Sequence, residues 1–169
     1  MATGPRYRVP LKRRRQNRTD YRSRKALIIS NLPRAVIRKS NRHIRIQIVN
    51  YLEKGDTILI SAYSGELADL GWEGNFDNTP GAYLTGLMAG KRSIAAGVDE
   101  AVLDIGRHVP AKGSVIFAAL KGLLDAGVSI PHSDEVLPSE DRINGKHLSD
   151  KIKSKIEGVK AKIEKGGDA

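Results

Sequence analysis

Three carboxylates lie next to one short apolar run, and they are the first residues here whose types and spacing could do chemistry. Asp99 and Glu100 precede Ala101-Val102-Leu103, and Asp104 follows that run. Nuclease chemistry with two metal ions needs several carboxylates that converge on ions roughly 3.5–4 Å apart. The other acids fall in turns and polar loops, away from predicted strand ends. We therefore expect Asp104 to be hydrogen-bonded or to cap a helix, and we expect no catalytic residue.

The segment GLMAGKRS, which begins at Gly86, contains part of the pattern of a phosphate-binding loop. That loop has four residues between its glycines, then Lys and Ser or Thr, and it follows a strand. Here three residues separate Gly86 from Gly90, Arg92 follows Lys91, and the segment falls inside a predicted helix. We interpret the two glycines as a groove that lets this helix approach a neighbouring helix closely.

Histidine and cysteine give no sign of a metal site. The chain has no cysteine, which excludes disulfides and thiolate-bound metals, and its histidines show no ligand spacing. The four histidines are His43, His108, His132 and His147. We expect no metal, no cofactor and no small-molecule substrate.

Positive charge is concentrated in the first quarter of the chain. Residues 1–45 hold 15 of the 29 Lys and Arg against one acid, whereas residues 46–169 hold 14 bases against 18 acids. Arginine outnumbers lysine 12 to 3 in residues 1–45, and guanidinium suits phosphate contact and stacking on unpaired bases. This asymmetry is typical of nucleic-acid binders. Without a zinc finger, helix-turn-helix or aromatic RNP strand, it favours RNA recognised by shape and backbone.

A membrane partner is not expected. The basic segment lacks the Trp, Phe and Leu face of a membrane anchor, and no apolar run approaches a membrane span. The N-terminus also lacks the apolar core of a signal peptide, so we expect a soluble, intracellular protein.

The residues from Pro33 to Val49 predict a hairpin with one apolar and one cationic face. With Ser40-Asn41 as a two-residue turn, Ile37 pairs with Ile44 and Ala35 with Ile46. Faces alternate along each strand, so the two sets of side chains separate. The apolar face carries Ala35, Ile37, Ile44, Ile46 and Ile48, and the other face carries Arg34, Arg38, His43, Arg45 and Gln47. The second face predicts a platform for a polyanion.

The residues before this hairpin predict an extended arm over 1–10 and a helix from Lys12 to Leu27. Arg14, Arg18, Arg22 and Lys25 would form one stripe on that helix, which we expect to order against phosphates. A solvated basic tail or a nuclear-import-like patch is the alternative interpretation. The candidate RNA-binding residues are Arg6, Tyr7, Arg8, Lys12, Arg13, Arg14, Arg15, Arg18, Arg22, Arg24, Lys25, Arg34, Arg38, Lys39, Ser40, Asn41, Arg42, His43 and Arg45.

The rest of the chain predicts an α/β fold. A third strand over 57–62 completes a three-stranded antiparallel meander, and a helix over 80–96, a strand over 100–104 and a helix over 114–127 give αβα. This order indicates a mixed sheet packed by helices. A last helix over 147–165 has a narrow apolar stripe that needs a partner surface, either the body or a neighbour. We expect a basic arm and helix (1–27), an α/β body (28–132) and a polar C-terminal extension with an amphipathic helix (133–169).

Several segments resemble the archaeal branch of the universal large-subunit ribosomal protein family numbered eighteen. The most specific are RKSNRH and AYLTGL. The matching segments are Gly4–Pro10, Arg13–Tyr21, Pro33–His43, Gly71-Trp72, Ala82–Gly90, Glu100–Gly106 and Asp125–His132. From Asp150 onward the chain departs from the family.

This resemblance implies a ribonuclease-H-like, translational-machinery-type sandwich without the nuclease carboxylates. It also implies a cytoplasmic protein of the large ribosomal subunit that binds 5S rRNA and attaches it to 23S rRNA in the central protuberance, beside other ribosomal proteins. The turn from Arg38 to His43 would contact the RNA backbone directly. Two alternatives remain open: a ribonuclease-H-like nucleic-acid-processing enzyme, which would cleave with divalent metal, and a general RNA chaperone, which would bind many RNAs equally.

Overall fold

A four-stranded mixed sheet forms the centre of the computed structural model, which describes residues 4–166. The strands are β1 (Arg34–Lys39), β2 (Ile44–Asn50), β3 (Thr57–Tyr63) and β4 (Val102–Asp104). Their order is β3-β2-β1-β4, with β2 antiparallel to both β1 and β3, and β4 parallel to β1. The predicted α/β class, a mixed sheet packed by helices, is confirmed.

Residues 4–166 also form six α-helices. They are α1 (Lys12–Arg15), α2 (Tyr21–Ile29), α3 (Thr79–Ala95), α4 (Val115–Asp125), α5 (Glu140–Ile143) and α6 (Asp150–Glu164), with 3-10 turns at Ser64–Ala68 and Asp134–Val136. Helices α3 and α4 cover the apolar face of the sheet. Within residues 4–166, no helix combines the length and the apolar character needed to cross a bilayer.

The predicted faces of the hairpin are right, but its register is not. The loop spans the four residues 40–43, so Ile37 lies opposite Ile46 and Ala35 opposite Ile48. Ser40 closes this loop, because its N–H donates to the His43 carbonyl (2.8 Å) and its Oγ accepts from the His43 N–H (3.0 Å). The shift is by two positions, which preserves the faces, and all five predicted core residues are buried.

The predicted single helix over 12–27 is wrong. Asn17 adopts a positive φ of 53° and separates α1 from α2. Asp20 then starts α2, because its carboxylate accepts hydrogen bonds from the backbone N–H groups of Arg22 and Ser23. The four cations therefore do not form one helical stripe. Arg14 belongs to α1, Arg22 and Lys25 belong to α2, and Arg18 lies between the two helices.

Glycines bring α3 and α4 into close contact, as the spacing in the sequence predicts. A Cβ added at Gly86 would lie 2.1 Å from the Ala119 carbonyl oxygen, and one at Gly122 would lie 2.2 Å from the Tyr83 carbonyl oxygen. Both distances are far inside van der Waals contact. The two helices can therefore approach this closely because neither position carries a side chain.

The apolar stripe of α6 packs on the body, which decides between the two predicted partner surfaces. Ile156, Val159 and Ile163 are buried in the main core, and α6 contacts α3. Lys162 also donates to the Leu70 carbonyl (2.8 Å), two residues before the buried Trp72. The C-terminal helix is thus part of the folded unit.

Candidate nucleic-acid interface

A buried carboxylate holds two arginines at the end of the sheet. Asp104 lies directly opposite Val36 in the parallel pairing of β4 with β1, and Arg34 and Arg38 flank Val36 on the same face. Arg34 Nη1 donates to Asp104 Oδ2, and Arg38 Nη2 donates to Asp104 Oδ1, each at 2.8 Å. The Gly106 N–H adds a third hydrogen bond of 2.9 Å. Asp104 is therefore hydrogen-bonded, as expected.

Electrostatics keep Asp104 ionised. Burial alone would raise the pKa of this carboxyl group, but hydrogen bonding and Coulombic attraction from Arg38 oppose it. The hydrogen bonds from Gly106 and Arg34 act in the same direction, and the net effect is a pKa below the ordinary value. Among the side chains that the structure describes, no group of three acidic or histidine residues could hold a metal ion.

Arg34 is not on the exposed platform, so that part of the prediction is wrong. Its side chain is 4% exposed and also donates to Asp56 Oδ2 at 2.7 Å. Helix α2 packs beside β4 at this end of the sheet, and Val49, which lies opposite Arg34, is buried as well. The exposed part of the cationic face is therefore shorter than predicted, with Arg38 and Arg45 as its cations.

Helix α2 is anchored to the body by the same cluster of charges. Arg24 Nη2 donates to both carboxylate oxygens of Asp56, at 2.9 and 2.8 Å. Because Asp56 also binds Arg34, this acid links α2, the β2–β3 turn and β1. Helix α2 thus has contacts with the body that do not involve phosphates, and Arg24 is already paired.

The hairpin loop is supported by aromatic contacts. The His43 ring packs against Tyr63, with centroids 4.8 Å apart, and stacks on Phe76 at 5.4 Å. The Arg45 guanidinium lies 5.5 Å from the centroid of the Tyr63 ring, within cation–π range. Arg42, at the tip of the loop, is exposed. The loop therefore presents exposed polar groups on a fixed base.

Other predicted contact residues fall into two groups. Lys39 is half-buried and lies 3.9 Å from Asp77, while Ser40 has its hydroxyl engaged within the loop. The exposed group comprises Arg6, Tyr7, Arg8, Lys12, Arg13, Arg14, Arg15, Arg18, Arg22, Lys25 and Asn41.

An open cleft of about 860 Å³ separates the N-terminal segment from the loop that follows β4. It joins predicted residues, including Arg13, Arg18 and Arg38, to Arg107 and His108, which we did not predict from the sequence. One signal could have identified these two residues. They follow the end of β4, and β4 lies next to β1 and parallel to it, which places the two residues beside the cationic face.

A cationic strand face and basic helices on an α/β body are typical of proteins that bind a polyanion. Residues 5–100 match the family model described as ribosomal large subunit proteins 60S L5 and 50S L18. The chain is also 53% identical over 150 residues to the large ribosomal subunit protein uL18 of Haloarcula marismortui, covering 89% of this chain and 80% of that protein. The chain therefore belongs to this family of large-subunit ribosomal proteins.

This membership confirms the resemblance and gives the protein its class. It is a structural component of the large subunit of the cytoplasmic ribosome, with ribosomal RNA and ribosomal proteins as partners. It is not an enzyme, because its relatives are named as ribosomal proteins, and the nuclease alternative is set aside.

Proposed function

We propose that this protein binds 5S rRNA and attaches it to 23S rRNA in the central protuberance. One observation carries the proposal: the segments that expose the most arginine are among those that resemble the 5S-binding family. The N-terminal segment over 4–21 and the turn over 38–43 both have this double character. Neighbouring proteins of the central protuberance are the proposed protein partners.

The contacts within the protein suggest different roles in RNA binding for different arginines. Exposed arginines of residues 6–22 supply sequence-independent attraction to phosphates, which makes binding steeply salt-dependent. Arg38, held by Asp104, and Arg45, held over Tyr63, supply contacts in fixed positions. The body, which we propose to be ribonuclease-H-like, keeps these positions rigid, and the domain boundaries predicted above remain part of this proposal.

A competition experiment tests this function. Full-length protein would be titrated with labelled 5S rRNA and then challenged with unlabelled 5S rRNA, transfer RNA or a 23S rRNA fragment of similar length. We expect transfer RNA to compete far more weakly than 5S rRNA at near-physiological salt. Equal competition by all three RNAs would instead support the general RNA chaperone.

Crosslinking in cells provides the second readout. Protein crosslinked to total cellular RNA should retain 5S rRNA together with a restricted set of 23S rRNA segments. A broad, unselective set of transcripts would refute the proposal.

A further inference from the structure

The cleft between the N-terminal segment and the β4–α4 loop has the composition of a nucleotide-binding groove. One wall carries Arg13 and Arg18, and the other carries Arg107 and His108. Arg38 and Asp104 lie between the walls. The two walls come from segments about 90 residues apart in the sequence, so the site exists only in the folded protein.

The acids that line this cleft are already engaged. Asp20 accepts hydrogen bonds from the start of α2 and from the Ser23 hydroxyl (2.8 Å). Asp104 is bound by Arg34 and Arg38. Asp20 also attracts Arg107 electrostatically. Six arginines line the cleft against these two carboxylates, so the cleft still attracts anions.

The wall arginines retain donors for a ligand. Arg13 uses its Nε to bind the Thr19 hydroxyl (2.9 Å), which leaves both Nη groups. Arg107 has one long hydrogen bond, 3.4 Å, from Nη1 to Asn17 Oδ1. The Arg18 side chain has no partner within the described part of the chain. These are the groups that contact phosphate oxygens in RNA complexes.

The cleft is also partly apolar, which a groove for phosphates alone would not require. Leu27, Leu103, Ile105 and Pro110 contribute to its lining. Its volume of about 860 Å³ falls within the ~300–1,000 Å³ range of pockets that enclose small ligands. Double-stranded RNA is bound along its outside, whereas unpaired nucleotides can be splayed out and enclosed by protein.

The geometry points to a short unpaired segment of RNA as the occupant of this cleft. Its phosphates contact Arg13, Arg18 and Arg107, and one or more bases lie against the apolar lining or a guanidinium plane. This inference rests on the proposed function, because it assigns the cleft to the same RNA, and it adds Arg107 and His108 to the binding surface.

Two matched variants provide the first test. Arg107→Ala should weaken 5S rRNA binding about tenfold, the effect of removing one charge-assisted hydrogen bond, and flatten the salt slope by about one unit. Arg142→Ala removes an exposed arginine of α5 that does not line the cleft, and it should change affinity little. Because Arg107 is exposed, both variants should unfold at the wild-type temperature. If the two variants bind 5S rRNA equally well, the cleft is not an RNA site, even if the protein still prefers 5S rRNA.

A photo-crosslinking residue at position 108 provides the second test. In the full chain carrying His108→benzoylphenylalanine, the crosslinked nucleotide should be one that chemical probing shows to be unpaired in free 5S rRNA. Crosslinks confined to paired nucleotides would overturn the inference.

If the wild type shows no preference for 5S rRNA, the proposed function fails. Binding of short oligoribonucleotides then tests separately whether the cleft holds unpaired RNA. We expect wild type to prefer a single strand over its duplex and Arg107→Ala to lose that preference. Equal binding of single strand and duplex by the wild type would contradict the cleft assignment.

Discussion

Removing the charge of Asp104 should destabilise the fold without affecting any catalytic step. In Asp104→Asn the side chain keeps its size, but one of its two acceptor oxygens becomes an NH2 group, a donor that must face one of the two guanidinium groups. The loss of the carboxylate destabilises Arg34 more than Arg38, because the Arg34 side chain is 4% exposed and its Nε has no hydrogen-bond partner within the described residues. Arg38 is 43% exposed and can regain water.

The size of the effect follows from these contacts. Removing one partner of a buried ion pair costs about 3–5 kcal/mol. Asp56 still binds Arg34 at 2.7 Å, so we expect the lower end of that range, about 3 kcal/mol. Arg38 adds little, because exposed ion pairs contribute at most about 1 kcal/mol.

Urea unfolding at neutral pH measures this destabilisation. With slopes of about 1–3 kcal/mol per molar urea, the midpoint should fall by about 1 M or more, while the slope stays unchanged. Asp99→Asn is the matched control, because Asp99 is exposed just before the same strand, and it should shift stability by less than about 0.5 kcal/mol. An Asp104→Asn protein as stable as the wild type would refute the account of a charge-dependent cluster. Magnesium-dependent RNA cleavage by the wild type that is absent in this variant would overturn the non-enzyme assignment.

The pH dependence gives an independent check on the same residue. Because the folded-state pKa of Asp104 is lowered, its stabilising contribution is present above the unfolded-state pKa of about 3.9. It is lost as the pH falls through the folded-state pKa. The difference in stability between wild type and Asp104→Asn should therefore be constant above about pH 5 and shrink in more acidic solution.

Three further predictions test packing, the faces of the hairpin and the arm. Gly86→Ala should cost at least about 1–3 kcal/mol in thermal unfolding because it forces α3 and α4 apart, whereas Gly158→Ala, in open space on α6, should stabilise by roughly 0.5–1 kcal/mol. Ile46→Ala should destabilise the fold by ~2–5 kcal/mol. Arg45→Ala should leave stability within about 0.5 kcal/mol and weaken RNA binding. The reverse pattern would mean that the buried and exposed faces of the hairpin had been assigned the wrong way round. Deleting residues 1–19 should leave the unfolding midpoint unchanged. It should flatten the salt dependence of RNA binding by roughly 0.7–0.9 for each phosphate that this segment neutralises in the intact protein. Unchanged RNA affinity would make the segment a solvated tail.

The features that follow from periodicity could be predicted from the sequence. Alternation in β1 and β2 identified the buried face even though the predicted loop had too few residues. A register error of two positions returns every side chain to the same face, so this prediction tolerated the error. The groove at Gly86 was predictable for a similar reason, since a spacing of four residues is a property of the helix alone.

The features that depend on distant residues could not be predicted in the same way. The prediction placed Arg34 on the correct side of the sheet. It missed the burial of this side chain, which depends on α2 and on Asp56 and Asp104. The assignment of Arg107 to the interface likewise depends on β4 lying parallel to β1. The break at Asn17 had a local signal, because Asp20 is a good N-cap, but the regular spacing of cations suggested a continuous helix.

The structure separates the arginines by how firmly each is held, and this separation predicts unequal contributions to RNA recognition. Ordering a long side chain on binding costs about 0.5–1.5 kcal/mol, so a guanidinium already fixed by the protein loses less freedom when it meets RNA. Arg38 is fixed by Asp104 and Arg45 rests on Tyr63, whereas Arg6 and Arg8 lie exposed on the arm. Fixed donors can require one arrangement of phosphates, and mobile donors accept many. Discrimination between RNAs should therefore come mainly from the sheet face, while the arm supplies attraction that every RNA shares.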